Sequence, residues 1–383
     1  MLLLAKTLEG LEEILAEELA AVGAEKIHIS KRAVEFEGDM MCVYKANLQC
    51  RCAIRILISI GRFTINNEND LYRAVQSISW DEYLDKDDTI AVDATVHSDY
   101  FNHSKFVAYK TKDAIVDQFR DKYGSRPDVD LDDPKLRVNI HIRDRYLSVS
   151  LDSSGDSLHR RGYRARAGEA PISEVLAAGI VKLSGWDKKT TLLDPMCGSG
   201  TILIEATKIA MGIPSFTQDR KFGFEKWNNF KAPLWGKIKE YAYKTEEVNL
   251  PHIQGVDLDR RTLEIAKENT EIAGLSGKIK FHQEDFQTYE PPSSPGFIIS
   301  NPPYELRLQT GDIGSLYKMM GDQYKQQYGG WQAWIISSNR DALKQVGLRT
   351  SRKIILFNGP LECRLQKYEM YSGTREKSKL NKT

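Results

Sequence analysis

The sequence predicts an α/β protein whose C-terminal half is a mostly parallel sheet wrapped by helices, preceded by a smaller α+β region. Three observations carry that reading. From about residue 190 onward, short apolar runs alternate with helical patterns, the order that builds a parallel sheet. Up to about residue 152, strands and helices are mixed without that regularity. Between the two halves the composition shifts to Ser153-Ser154-Gly155 and then His159-Arg-Arg-Gly-Tyr-Arg-Ala-Arg166, which holds four arginines and meets no acid before Glu169.

The elements follow in order. Leu8, Leu11, Ile14, Leu15, Leu19 and Val22 recur at helical spacing, so residues 7–22 predict an amphipathic helix closed by Gly23. Short alternating segments predict strands at Lys26–Ser30 and Ala33–Glu37, then a helix near Met40–Ala46 and a strand over Ile54–Phe63. Helices are expected at Leu71–Ile78 and Lys105–Tyr123, and strands at Thr89–Val96 and Leu136–Asp152. In the second half, strands at Thr190–Asp194, His252–Asp257, Lys278–Glu284, Phe297–Ser300 and Trp331–Ser337 alternate with helices. Those helices are Thr201–Ala210, Arg260–Ala273, Gly314–Gln327 and a short one after Ser337. Arg352–Phe357 and Arg364–Tyr371, joined through Asn358-Gly-Pro, predict an antiparallel hairpin at one edge. The stretch from Gly212 to Pro251 carries Phe222, Phe224, Trp227, Phe230 and Trp235, and is expected to pack down as a cap.

Composition narrows the class. A chain of 383 residues allows two or three domains, and 41% hydrophobic with 28% charged residues suits packed cores under a soluble surface. Lys plus Arg (54) nearly cancels Asp plus Glu (53), which excludes a polybasic or an acidic disordered protein but leaves room for local basic faces. No apolar run reaches the roughly 18–20 residues that cross a bilayer. Glu9, Glu12 and Glu13 follow too soon after Met1 for a signal peptide. Cysteines 42, 50, 52, 197 and 363 are too scattered for a disulfide scaffold, and Cys50-x-Cys52 lacks a second pair for zinc. The seven histidines show no ligand spacing, so no metal is expected, and the compartment is read as a reducing cytoplasm.

Open α/β sheets bind ligands beyond the carboxyl ends of their strands. The first ends in Asp194-Pro195-Met196-Cys197-Gly198-Ser199-Gly200-Thr201 and runs straight into a helix. The glycines permit a sharp turn and close ligand approach, while the absence of a phosphate-gripping lysine and the presence of Asp194 favour an amino-bearing ligand over a polyphosphate. A plain strand–helix turn is the competing reading. The second strand ends at Asp257, which suits the two hydroxyls of a ribose or a helix cap, although Asp259 is better placed to cap. The third ends in Asp285-Phe286, an acceptor plus a ring that would serve an adenine, or a surface turn. The fourth ends in Asn301-Pro302-Pro303-Tyr304. There the Asn301 side-chain carbonyl and the Pro302 backbone carbonyl can together receive both hydrogens of an amino group, and Tyr304 offers a flat surface for a base.

This set of motifs resembles the class I S-adenosylmethionine-dependent methyltransferases that act on amino groups of bases. More closely, the chain is similar to the THUMP-domain ribosomal RNA guanine-N2 methyltransferases of the RlmL type. Arg161-Gly-Tyr-Arg, Gly168-Glu-Ala-Pro-Ile, Phe224-Glu-x-Trp227 and Asn358-Gly-Pro-Leu-Glu-Cys-Arg add to the likeness, which covers essentially the whole length. The resemblance implies a ferredoxin-like segment at 1–55, a THUMP-like RNA-binding module at 56–155, a basic linker at 156–170 and a methyltransferase domain with a seven-stranded sheet at 171–383. It implies S-adenosyl-L-methionine as cofactor, its methionine part held by Asp194–Thr201, its ribose by Asp257 and its adenine by Asp285 and Phe286. Asn301, Pro302 and Tyr304 are the implied catalytic residues. The family usually continues this motif with Gly-Glu-Arg-Leu, whereas here Glu305-Leu-Arg307-Leu308 follows. Large family members carry a second methyltransferase domain, so one activity is expected here.

RNA is the expected partner. Lys105, with Lys110 and Lys112, Arg137, with Arg143 and Arg145, the linker residues Arg160, Arg161, Arg164 and Arg166, and Arg307 are candidate phosphate contacts, against the alternative of solvated charge. The residues 375–383 read as a frayed tail. Cys197 lacks a neighbouring base and is expected to pack rather than react. The same motif set also fits an adenine-N6 methyltransferase or an RNA-binding factor that has lost activity. Neither the target nucleotide nor the oligomeric state, monomer or weak dimer, is encoded in these patterns.

Overall fold

The computed structural model describes residues 1–164, 172–244, 249–291, 295–304 and 312–371. They form two compact units.

Unit 1 comprises Met1–Thr7, Ala16–Leu158 and Lys221–Tyr241. Its strands are β1 (Leu2–Lys6), β2 (Glu25–Ser30), β3 (Ala33–Glu37), β4 (Arg55–Thr64), β5 (Thr89–His97), β6 (Asp128–Val129), β7 (Leu136–Arg143) and β8 (Tyr146–Asp152). They make one sheet in the order β2-β3-β1-β4-β8-β7-β5-β6. Alternation decides the two faces: Val138, Ile140 and Ile142 of β7 and Leu147, Val149 and Leu151 of β8 are buried, while the residues between them are polar. The buried positions change from even to odd numbers between Ile142 and Leu147, and that change marks a turn. What reads as one strand over 136–152 is therefore a hairpin, with Asp144 at φ 53° in its turn. β1 was not foreseen as a strand; its five residues are held between β3 and β4.

The aromatic insertion packs down rather than trailing as a linker, and residues 221–241 belong to unit 1. The Tyr44 ring, on the helix Met40–Gln49, meets Phe224 at 4.5 Å and Trp235 at 5.8 Å, and Phe222 stacks on Phe224 at 5.5 Å. A side chain on Gly223 would stand 2.9 Å from the Gly155 nitrogen, so the insert sits backbone to backbone on residues 152–155. Aromatic area seeks the nearest apolar partner, and Tyr44 supplies it.

Unit 2 comprises Leu8–Leu15, His159–Arg220 and Ala242–Thr383. It contains β9 (Thr191–Asp194), β10 (Ile253–Asp257), β11 (Lys280–Gln283), β12 (Gly296–Ser300), β13 (Gln332–Ser337), β14 (Thr350–Asn358) and β15 (Leu361–Glu369), in the order β11-β10-β9-β12-β13-β15-β14. The first five strands in that order are parallel; β15 runs antiparallel to β13 and β14. Strands covered on both faces are apolar at successive residues: Leu192 and Leu193, then Ala333 to Ile336, are each at most 1% exposed. The order reverses between β9 and β12, which opens a crevice at their carboxyl ends. Two helices the periodicity did not announce, Glu174–Leu183 and Ala232–Tyr243, complete the described chain. Among the described residues, no helix is long and apolar enough to cross a membrane.

Candidate active site

The loop after β9 is shaped by its glycines and by Asp257. Gly198 and Gly200 take φ of 53° and 79°, left-handed values that Cβ-bearing residues resist, and the helix Thr201–Ala210 starts directly from Gly200. The Cys197 N–H donates to the Val256 carbonyl at 3.0 Å, and the Gly198 N–H donates to Asp257 Oδ2 at 3.0 Å. Asp257 Oδ1 accepts the Asp259 N–H at 3.0 Å. Each carboxylate oxygen therefore spends one lone pair on backbone and keeps another. A side chain on Gly198 would meet nothing within 4 Å, so the loop borders open space there. Asn269 closes the arrangement by donating to the Ser199 carbonyl at 3.1 Å.

Asp194 lies beneath this loop with 1% exposure and accepts the Met196 N–H at 3.2 Å. Burial pushes its carboxyl up to about 7, with the Asp257 charge adding to the shift and hydrogen bonds opposing it. Asp257 is raised too, chiefly by burial. Two desolvated carboxylates side by side make a place for a cation or ammonium group, whose arrival would restore their charge. Cys197 is 6% exposed, and burial, then Asp194 and Asp257, hold its thiol far above the range for a nucleophile.

Beside β9, β12 ends in Asn301–Tyr304. The Tyr304 hydroxyl donates to Asn301 Oδ1 at 2.5 Å, while Tyr317 donates to the Pro303 carbonyl at 3.1 Å and Asn339 Nδ2 to the Tyr304 carbonyl at 3.1 Å. The Tyr317 hydroxyl in turn accepts the Ser337 hydroxyl hydrogen at 2.7 Å, and Ser337 Oγ accepts the Asn339 N–H at 3.1 Å. The two carbonyls at the far end of the motif are thus tied down. Among the described residues the Pro302 carbonyl accepts nothing, and Asn301 Oδ1 retains a lone pair. Tyr317, Ser337 and Asn339 escaped the sequence reading. A signal for Ser337 and Asn339 was present in Ser337-Ser338-Asn339, the carboxyl end of the next parallel strand.

Other candidates land differently. Asp285 is partly exposed and turns its Oδ1 to the Gln287 N–H at 2.8 Å. Phe286 is 2% exposed and packs on Tyr328 and Tyr324 in the core, so it presents no ring face to a ligand. Pro195 and Thr201 are buried supports of the loop. Two linker arginines are structural rather than phosphate contacts. Arg161 is 0% exposed, 3.6 Å from Glu205, with its guanidinium 4.9 Å from the Phe216 ring centroid. Arg164 pairs with Glu174 at 2.8 Å. A buried cation keeps a partner because an unpaired one is costly. Arg137 is likewise committed to Asp93 at 3.2 Å and to the Leu131 carbonyl at 2.7 Å. Lys105 and Arg160 are exposed, in units 1 and 2 respectively. Arg166 and Arg307 lie outside the described residues. Among the described residues no group of His, Cys, Asp and Glu could hold a metal.

Known proteins resemble this chain in sequence and fold. Residues 161–367 match the family described as an RMKL-like methyltransferase domain, residues 66–152 a THUMP domain, and residues 2–57 an RlmL ferredoxin-like domain. A Synechocystis protein that bears the provisional name RNA methyltransferase is 40% identical over 364 residues, covering 94% of this chain and 95% of that one. The ribosomal RNA large subunit methyltransferase K/L of Syntrophotalea carbinolica is 37% identical over 374 residues, and the chain spans 52% of its length. Among solved structures, one provisionally named a methyltransferase and crystallised with SAH superposes with a TM-score of 0.87 at 29% identity, over 97% of this chain and 99% of that one. By these matches and by its crevice between β9 and β12, the chain belongs to the RMKL-like methyltransferase family and joins that domain to a THUMP domain.

Proposed function

We propose that the protein transfers a methyl group from S-adenosyl-L-methionine to the exocyclic N2 amine of a guanine in the RNA of the large ribosomal subunit. The observation that carries the reading is the pair of acceptors at Asn301 and Pro302, beside an acidic, glycine-lined crevice. The residues fit the cofactor: Asp194 and the open loop at Gly198 suit its ammonium-bearing part, and the lone pairs left on Asp257 suit its ribose diol. When bound, that cofactor supplies a sulfonium methyl carbon that is already electrophilic.

The protein's task is then alignment and charge. An amine conjugated to its ring is a poor nucleophile. Acceptance of its two hydrogens by Asn301 Oδ1 and the Pro302 carbonyl concentrates density on nitrogen and stabilises the positive charge that develops there. Tyr304 holds the extruded base by stacking, and Tyr317 with Asn339 keeps the motif in register for both tasks. No strong base is required, because the methylated amine is acidic enough to release its proton to water.

Purified ribosomal RNA and DNA, each incubated with the protein and labelled cofactor and digested to nucleosides, test the reading. Label is expected in N2-methylguanosine from RNA. Label confined to N6-methyladenosine would refute the guanine assignment, label confined to DNA the RNA assignment, and no cofactor binding by calorimetry would revive a silent RNA-binding factor.

A further inference from the structure

The segment Asn358-Gly359-Pro360-Leu361-Glu362-Cys363 stands out in the sequence, and methyl transfer by Asn301, Pro302 and Tyr304 makes no use of it. Topology brings it to the same rim of unit 2. β15 runs antiparallel to β13 with Arg364 opposite Ser337, so the turn between β14 and β15 emerges at the carboxyl end of β13. β13 pairs in turn with β12, which ends in Asn301–Tyr304. Asn358 stands opposite Leu361 across the turn, and Gly359 beside it takes φ 62°, so the chain reverses immediately after Asn358.

Two side chains of this hairpin face the Tyr304 hydroxyl. Burial, then the Cys363 thiol and the Tyr317 hydroxyl, hold that group far above the usual phenol range, and a hydrogen bond from the Asn358 side chain opposes them. A partner that favours the ionised oxygen is a donor, so the Asn358 amide gives an N–H to the Tyr304 oxygen. Cys363 is 0% exposed; its S–H turns to the Leu361 carbonyl at 3.6 Å, and its sulfur is a weak acceptor. The single hydroxyl hydrogen of Tyr304 goes instead to the better acceptor, Asn301 Oδ1, at 2.5 Å. The three groups make a chain from the Asn358 amide through the Tyr304 hydroxyl to the Asn301 carbonyl, in which each bond polarises the next.

That direction matters because a carboxamide has two ends. Turned by half a rotation, Asn301 would present Nδ2, a donor, to the amine hydrogens it has to receive. A hydroxyl that donates to Oδ1 holds the oxygen end in place, and an amide that donates to the hydroxyl oxygen keeps its hydrogen aimed that way. We propose that Asn358, from the edge hairpin, is a positioning residue for methyl transfer: its amide holds the Tyr304 hydroxyl on Asn301 Oδ1 and thereby fixes the carboxamide oxygen toward the amine. The inference rests on the reading of the protein as a methyltransferase acting on a base amine, and it holds for either purine.

The test is a kinetic double-mutant cycle on the full chain with ribosomal RNA and labelled cofactor. Asn358→Ala is expected to lower kcat about five- to tenfold with KM for RNA within twofold. Tyr304→Phe keeps the ring without the hydroxyl and should lose a similar amount, and adding Asn358→Ala to it should cost less than a further twofold. Asn358→Asp keeps the shape but replaces the donor with an acceptor that draws the hydroxyl hydrogen away from Asn301, so its kcat should fall at least as far as that of Asn358→Ala. Glu362→Gln, on the same hairpin and paired with Arg340, should change kcat less than twofold. Cofactor affinity by calorimetry should stay within twofold throughout. If Asn358→Asp melts early, the cycle with Asn358→Ala decides. Full kcat in Asn358→Ala or Asn358→Asp, or an equal loss from Asn358→Ala with and without the Tyr304 hydroxyl, overturns the role of Asn358 and leaves the enzymatic reading standing. An unsubstituted chain that methylates no base amine overturns both. Label in N6-methyladenosine with the same pattern of losses upholds Asn358 and refutes only the guanine assignment.

Discussion

The two sheets put their polar residues in different places. In unit 1, residues alternate in and out, so one face is core and part of the other stays open, with Arg143, His141 and Tyr146 on it. In unit 2, both faces of the central strands are covered, and polarity survives at the carboxyl ends, at Asp194, Asp257 and Asn301. A sheet solvated on one side can bind along its surface, whereas a parallel sheet buried on both sides can bind only where its strands stop. Chemistry that needs several groups to converge on one atom suits strand ends, and capture of an extended polymer suits a face.

That contrast is most sharply broken by a variant at a strand end. Asn301→Ala should lower turnover on RNA by about two to three orders of magnitude while cofactor affinity by calorimetry stays within twofold. A parallel loss of both would mean that the crevice does not divide its work between donor and acceptor. Next, Arg161→Ala should cost about 3 kcal/mol in urea unfolding, because the buried Glu205 would lose its cationic partner and keep only the neutral hydroxyls of Tyr163 and Ser215. A stable Arg161→Ala variant with weakened RNA binding would return that residue to the phosphate-contact class.

Asp194→Asn sharpens the comparison through pH. With the folded carboxyl at about 7 against an ordinary 3.8, the folded state holds a proton that the unfolded chain releases. The stability this confers is complete below about pH 4 and is lost as pH rises toward 7. The amide cannot ionise, so its melting temperature should pull ahead of the unsubstituted protein between pH 5 and pH 8, with a ceiling of about 4 kcal/mol. Cofactor binding should fall at the same time. Smaller still, Tyr317→Phe removes a donor from the Pro303 carbonyl and should reduce kcat about three- to tenfold with little change in KM for RNA. Least of all, Lys105→Ala should leave RNA affinity within twofold, since an exposed lysine in the first turn of a helix is not part of the open sheet face.

Much of the site was legible because strand-end motifs are local. Asp194, the Gly198–Gly200 turn, Asp257 and Asn301–Tyr304 each follow a strand that apolar content announces, and β10, β12 and the helix Thr201–Ala210 fall within a residue of expectation. Tyr317 was not legible, since its role is a hydrogen bond to a backbone carbonyl 14 residues away; Asn339 stands at a readable strand end, but its bond to a carbonyl 35 residues away is set only by the fold. Phe286 shows the opposite failure. Its position after a strand suggests a ligand face, but Tyr324 and Tyr328, from a helix some 40 residues on, absorb the ring.

By itself, the sequence determined which segments become strands and helices and which residues stand where parallel strands end, because period, capping and turn chemistry act over a few neighbours. Tertiary structure alone decided which charges are spent and which remain available. Arg161 and Arg143 are equally basic as letters; one is buried against Glu205 and the other exposed on an open sheet face. The aromatic insertion, too, joined unit 1 through contacts with distant positions, Tyr44 and the Ser153 carbonyl among them. Burial and pairing are properties of contacts between distant positions, and a charge acquires its role from them.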